Sequence, residues 1–269
     1  MININVVLTT KNAGQYITDF LESMMNQQEP YEVIIVDSDS TDKTQDIIKE
    51  YIQKNKNIKL FIHPGTRAES MNYGIKQTTG DAVAFIGGDD VADKNWIKEL
   101  RNALKDGDIV VGKLCSKEEE RFKTLANVKI FHKEINISHP GCNTTYKKEI
   151  LEKLKGFDPW FFSAEDLDLN YRAVDAGYTI TMNDRAVVYY RPRNSIYAFF
   201  KQSFWYGTGR KLLGLKYGRI WRQYSVSDTM KTQLSVLGII RLSLGFFGYI
   251  YCTLTVREYP QKHHKFHSK

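Results

Sequence analysis

A chain of 269 residues with 42% apolar and 13% aromatic side chains can bury a full core, which excludes a disordered or fibrous protein. Its formal net charge is +7, and the excess is unevenly spread. From Arg191 to Arg222 the cations Arg191, Arg193, Lys201, Arg210, Lys211, Lys216, Arg219 and Arg222 follow one another without a carboxylate. Such a block suits phosphates on a lipid headgroup, nucleic acid or an anionic substrate; a solvated basic helix face is the plain alternative.

The first half alternates strand and helix. The apolar run from Ile4 to Thr9 predicts a strand buried on both faces, and Ile17, Phe20, Leu21, Met24 and Met25 recur at helical spacing. A strand from Glu32 to Val36, a helix from Asp42 to Lys54, a strand from Ile58 to Ile62 and a helix from Arg67 to Gln77 follow. A fourth strand runs from Ala82 to Ile86, and Asp93 is the expected N-cap of a helix using Trp96, Ile97, Leu100 and Leu104. Repeated βα units imply an α/β domain with a mostly parallel sheet flanked by helices, and ligands then sit outside the carboxyl ends of the strands.

Further on the pattern loosens. Asp108 to Val111 is strand-like, Glu118 to Phe131 helical, and Asn143 to Tyr146 a strand. A helix from Glu165 to Ala176 ends at Gly177, Ala186 to Tyr190 is a last strand, and everything from Ser195 onward reads as helical. The expected division is residues 1–194 as the α/β domain and 195–269 as a basic, apolar helical extension. The segment from Leu234 to Val256 would span about 34 Å as a helix, enough to cross a bilayer core. Arg241 inside it costs about 2.5–3.5 kcal/mol if held centrally, although it could snorkel. Crossing the bilayer, lying in its plane and packing as a soluble helix all remain open.

Three cysteines, Cys115, Cys142 and Cys252, are far apart and lack metal-ligand spacing, as expected of a reducing compartment. No charged segment precedes an apolar one at the start, so a signal peptide is not expected. Asn136 and Asn143 match the glycosylation acceptor pattern and are set aside on that ground. Gly107 to Lys113 has phosphate-loop spacing, but Leu114 stands where Ser or Thr must bind magnesium. Gly207 and Gly209 have no strand before them, and the histidines His263, His264 and His267 sit in a charged tail.

Three acid clusters fall near predicted strand or helix ends. Asp37, Ser38 and Asp39 directly after a buried strand could meet a base or ribose, while Ser40, Thr41 and Asp42 equally suit a helix cap. Gly87, Gly88, Asp89 and Asp90 combine close backbone approach with hard oxygen ligands, or form an ordinary polar turn. Glu165 and Asp166 open a helix, where one could act as general base or both could simply favour the helix dipole.

Their order and spacing resemble family 2 glycosyltransferases of the GT-A (Rossmann-like) fold, over residues 4–210. Leu8-Thr9-Thr10-Lys11-Asn12 is similar to the family's first nucleotide-contacting loop, and Val36 to Thr44 to its second. Asn72-Tyr73-Gly74 resembles the helix lining the donor site, and Glu165-Asp166 the acid pair whose Asp is the base. The resemblance implies donor contacts from Thr9, Thr10, Asn12, Asp37, Asp39, Arg67, Asn72 and Asp89, with Mg²⁺ or Mn²⁺ held by Asp89 and Asp90. Asp166, assisted by Glu165, is the expected catalytic residue. Gly87 stands where the family usually has the first Asp of Asp-x-Asp, and Tyr189 and Tyr190 occupy the region where some members carry a histidine.

Segments around Arg191 and Gln202 are similar to members that build exopolysaccharides or lipid-linked glycans. Arg191, Arg193, Gln202, Trp205 and Arg210 are therefore candidates for the acceptor or its phosphate. The expected partners are a nucleotide-sugar donor, a glycan or polyprenyl-phosphate-linked acceptor and the cytoplasmic face of a membrane. Nucleic acid is not expected, because the basic stretch is interleaved with apolar residues. The alternative, motivated by Gly87, is a catalytically silent nucleotide-sugar-binding or membrane scaffold protein. A nucleotidyltransferase would need a lysine- and glycine-rich phosphate loop that this N-terminus lacks.

Overall fold

A computed structural model describes residues 1–118, 129–192, 195–218 and 236–260, which fall into two compact units divided after Pro192. The first holds the strands β1 (Ile4–Thr10), β2 (Tyr31–Asp37), β3 (Ile58–Ile62), β4 (Ala82–Phe85) and β5 (Val91–Ala92). It continues with β6 (Ile109–Ser116), β7 (Phe131–His132), β8 (Ile135–Asn136), β9 (Thr144–Lys147) and β10 (Ile180–Tyr190). Its helices are α1 (Ile17–Met25), α2 (Thr44–Lys54), α3 (Arg67–Gln77), α4 (Trp96–Ala103), α5 (Lys148–Lys153) and α6 (Glu165–Asp175).

Eight strands form one sheet in the order β3-β2-β1-β4-β9-β6-β10-β5, and β7 pairs with β8 apart from it. The β1–β2, β2–β3, β1–β4 and β6–β10 pairs are parallel. Strand β9 is antiparallel to both β4 and β6, so β4 and β6 point the same way and six carboxyl ends share one edge. One face of the sheet buries Leu8, Ile35 and Val110 against Phe20, Ile48 and Trp96. The other buries Val7, Ile34 and Phe85 against Met71, Phe157 and Leu169.

Asn143 ties the middle of this sheet together. It is fully buried and takes a left-handed φ of 60°. Its Oδ1 accepts the Trp96 Nε1–H at 2.8 Å, and its Nδ2 donates to the carbonyls of Lys113 and Ala186 at 2.9 and 3.0 Å. A side chain locked there is no glycosylation acceptor.

The first four strands and three helices lie within two residues of their predicted bounds. Asp93 is not an N-cap: helix α4 starts after Asn95, whose N–H donates to Asp93 Oδ1 at 2.9 Å, so Asp93 closes the preceding turn. The predicted helix from Glu118 to Phe131 lies largely outside the described residues, and its last residue belongs to β7. Strands β5 and β8 and helix α5 are too short for periodicity to reveal. Strand β10 begins six residues earlier than its apolar run, because its first half is a half-exposed continuation broken by an irregularity between Asn183 and Val187.

The second unit contains α7 (Ile196–Tyr217) and α8 (Val236–Thr255). They cross closely enough to demand glycine: a Cβ on Gly207 would lie 1.8 Å from the Gly245 carbonyl oxygen, and one on Gly248 2.0 Å from that of Phe204.

Candidate active site

The loops after β1 and β2 are laced into one surface. Ser38 N–H donates to the Thr10 carbonyl at 2.8 Å, Asn12 N–H to Ser40 Oγ at 2.8 Å, and Thr41 N–H to Asn12 Oδ1 at 2.9 Å. Asp37 is fully buried, and both its oxygens are engaged. Ser40 donates to it through N–H at 2.8 Å and Oγ at 2.5 Å, and Gln45 Nε2 donates at 2.8 Å. Asp39 is exposed at the apex with φ of 60°. Thr9 is half-buried, while the Thr10 hydroxyl is buried without a partner among the described residues. A Cβ on Gly88 would lie 3.5 Å from that hydroxyl, which therefore faces the loop after β4.

In that loop, Asp89 is exposed and Asp90 is only 5% exposed. The Asp90 carboxylate folds back to accept the Gly87 N–H at 3.0 Å. Burial, with the Asp89 carboxylate beside it, pushes the Asp90 carboxyl up to about 6. A Cβ on Gly87 would meet Asp90 Oδ2 at 2.6 Å and Asp89 Oδ1 at 2.9 Å. The two acids thus occupy the space that a side chain at position 87 would need.

Helix α6 brings the third cluster to the same place. Ala164 turns into it with φ of 66°, and Glu165 meets Arg67, the first residue of α3, with Nη1 and Oε1 3.0 Å apart. Glu165 is buried, which pushes its carboxyl up against the opposing pull of Arg67. Its surroundings work against the charge on Arg67, but Glu165 and Asp166 outweigh them, with Asp89 adding to the effect, and hold the guanidinium above its usual range. Asp166 is half-buried and oriented by two backbone donors, Gly141 N–H to Oδ2 at 2.8 Å and Leu167 N–H to Oδ1 at 2.8 Å.

Several expected roles change. Asn72 is committed elsewhere: its Nδ2 donates to the Phe157 carbonyl at 2.7 Å and its Oδ1 accepts the Phe157 N–H at 2.8 Å, so it pins α3 to the segment before α6. Arg191 pairs with Asp19 and, at 3.3 Å, with Glu118, and Lys117 shares Asp19 at 2.7 Å. Two cations thus face two carboxylates there. Gln202, Trp205 and Arg210 belong to α7 in the second unit, where Gln202 Nε2 donates to the Tyr206 hydroxyl at 3.0 Å. Arg193 lies outside the described residues.

Other residues join the site without having been singled out. Cys142 is close enough to Asp90, Arg67 and Asp166 to feel their charges, and burial above all pushes its thiol up to about 12, so it stays protonated. Ser70 Oγ lies 3.1 Å from Ser38 Oγ, and His63 stacks on Tyr73 with ring centroids 4.3 Å apart at the end of β3. Tyr73 belongs to the Asn72-Tyr73-Gly74 motif, and only nearness to it hinted at Ser70.

Among the described residues no three His, Cys, Asp or Glu side chains gather around one point. The chemistry still fits a hard divalent cation. Asp89 offers an exposed carboxylate at a strand end, and magnesium is commonly held by one or two carboxylates with substrate phosphates completing its shell.

The family model described as glycosyl transferase family 2 matches residues 5–162. A dolichyl N-acetyl-alpha-D-glucosaminyl phosphate 3-beta-D-2,3-diacetamido-2,3-dideoxy-beta-D-glucuronosyltransferase of Methanococcus voltae is 28% identical over 238 residues, covering 78% of this chain and 73% of that protein. Among solved structures, Pyrobaculum calidifontis mannosyltransferase PcManGT, in complex with GDP-Man and Mn²⁺, superposes with a TM-score of 0.64 at 18% identity. That match covers 94% of this chain and 75% of the other. S. aureus TarS in complex with UDP-GlcNAc gives 0.60 at 18% identity, over 93% of this chain and 81% of the other. The fold is therefore GT-A.

Proposed function

Because the chain belongs to glycosyl transferase family 2, we propose that it moves a sugar, with inversion, from a nucleoside-diphosphate sugar to a hydroxyl of a glycan or lipid-linked acceptor. The observation that carries this reading is the convergence on Arg67: Glu165 at 3.0 Å, with Asp166 and Asp89 near enough to reinforce its charge. Acids from two distant segments thereby frame one cation at the carboxyl edge of the sheet, where α/β folds bind ligands.

Asp166 is the general base. Its two backbone hydrogen bonds fix the carboxylate while leaving lone pairs for the acceptor proton. As the acceptor oxygen bonds to the anomeric carbon, the bond from that carbon to the diphosphate oxygen breaks. The proton passes to Asp166 and the electron pair leaves with the nucleoside diphosphate. Arg67, held in place by Glu165, lies ready to balance that growing negative charge. Asp89, with Asp90 beside it, would hold a divalent cation, which when bound supplies Lewis-acid stabilisation of the leaving diphosphate. The Thr10 hydroxyl and the Asn12–Ser40 surface line the donor side, with Asp37 shaping the loop from below.

The Methanococcus relative's name specifies a dolichyl-phosphate-linked acceptor, which favours a lipid-phosphate acceptor here. An apolar C-terminal helix of mean hydropathy 1.5 and three free cysteines favour work at the cytoplasmic face of a membrane. Exchange of Asp166 for Asn tests the assignment. Transfer and slow donor hydrolysis should fall at least a hundredfold, about 2.7 kcal/mol in the barrier, while nucleoside diphosphate binding persists. Near-normal turnover would remove Asp166 from the mechanism; binding without turnover in the parent protein would favour a silent binding protein.

A further inference from the structure

We infer that α7 and α8 form a monotopic anchor lying in the plane of an anionic bilayer, with α8 not crossing it; this deepens the membrane part of the proposed function and rests on it. Neither helix carries a carboxylate, whereas α7 has Lys201, Arg210, Lys211 and Lys216 and α8 has Arg241. That charge is complementary to acidic lipid headgroups.

Helix α8 has two unlike faces. Gly238, Gly248 and Cys252 are buried on one. The other is apolar and open to solvent: Ile239, Phe246, Phe247 and Leu254 are 58%, 62%, 60% and 77% exposed. These positions recur at helical spacing and include no charge, so the outward face has the character of an acyl-layer contact.

The choice between lying and crossing rests on where the cations sit. Gly207 meets Gly245, Phe204 meets Gly248, and Arg210 lines the same small cleft as Arg241 and Leu242. Arg241 lies over the Tyr206 ring at 5.4 Å, and Lys211 over the Tyr249 ring at 5.2 Å. Three cations thus lie against α8 between Arg241 in its second turn and Tyr249 in its fourth. If α8 crossed the bilayer with α7 beside it, all three would enter the hydrocarbon and disfavour insertion, by roughly a hundredfold for a cation at the centre. In the plane of the membrane, the outward face of α8 enters the acyl layer while the cations stay at headgroup depth.

The test uses the full chain and vesicles of phosphatidylcholine alone or with phosphatidylglycerol. Flotation should show at least tenfold tighter binding to the anionic vesicles, and alkaline carbonate should release the bound protein. The double exchange F246E/F247E, at two exposed positions, should weaken binding at least tenfold. Retention through carbonate would overturn the in-plane reading in favour of a span. Equal binding to both vesicles, or binding untouched by F246E/F247E, would overturn it as well. So would a concentration-dependent dimer that binds no vesicles and is split by F246E/F247E, since a second copy would then cover the face. Thermal shift by UDP and GDP, measured on the same samples, reports the donor site separately. Vesicle binding without any nucleotide shift would sink the catalytic reading and leave the anchor standing. A nucleotide shift without vesicle binding would do the reverse.

Discussion

Asp90→Asn should stabilise the protein at neutral pH and not in acid. The Asp90 carboxyl is 5% exposed and pushed from 3.8 up to about 6, by burial first and by Asp89 second. At about 1.36 kcal/mol per unit, that rise withholds about 3 kcal/mol of stability once the group is ionised. The folded chain holds this proton more tightly than the unfolded chain. The cost is therefore absent below about 4, grows as pH rises to about 6, and is complete above that. An amide keeps an oxygen for the Gly87 N–H, so the variant sheds the charge and retains the bond. For a unit of this size the gain corresponds to about 6–12 °C in Tm at pH 7.5. Melting curves with a chelator present, at pH 7.5 and pH 4, measure it. A gain of equal size at both pH values, or none at pH 7.5, would refute the argument that buried charge is the cause.

Glu165→Gln should loosen Arg67 and lower kcat about tenfold, with a smaller change in donor KM, because Arg67 balances charge that grows only as the diphosphate leaves. Steady-state kinetics decide it, and a rise in donor KM with kcat unchanged would confine Arg67 to ground-state binding. Asn72→Ala should destabilise by about 2–4 kcal/mol, since both backbone groups of Phe157 lose their partner; chemical denaturation giving less than about 0.5 kcal/mol would show that water replaces it. Gly87→Asp should weaken Mn²⁺-dependent nucleotide binding, because its Cβ would press on Asp90 Oδ2 at 2.6 Å. Calorimetry showing tighter binding would mean that the position simply lacks an acid.

Much of the frame was legible because strands β1 to β4 are predominantly apolar and helices α1 to α3 repeat at helical spacing. The acid clusters were legible too, since each sits where an element begins or ends. What each acid does was not. Asp37 and Asp39 look alike in sequence, yet one is buried with both oxygens engaged and the other is exposed. Arg191 sits in a run of positive charge, but Asp19 and Glu118, far from it in sequence, balance it. Such pairings come from tertiary contact, and no local pattern carries them.

The role of the segment before β9 follows from strand direction. A parallel strand offers the residues after it to the carboxyl edge of the sheet, which would have placed Lys147 and Lys148 at the site. Strand β9 is antiparallel, with Thr144 opposite Phe85, and it offers the residues before it. Asn143 N–H donates to the Phe85 carbonyl at 2.7 Å, which carries Gly141 and Cys142 to the loop of Asp89 and Asp90. Gly141 can then orient Asp166, and Cys142 lies near enough to Asp90 to feel its charge. One reversed strand therefore joins the half built from the first four strands to the half that carries Asp166. A sheet read as mostly parallel does not reveal which strand is reversed, because the direction of a four-residue strand is decided by its neighbours and not by its own side chains.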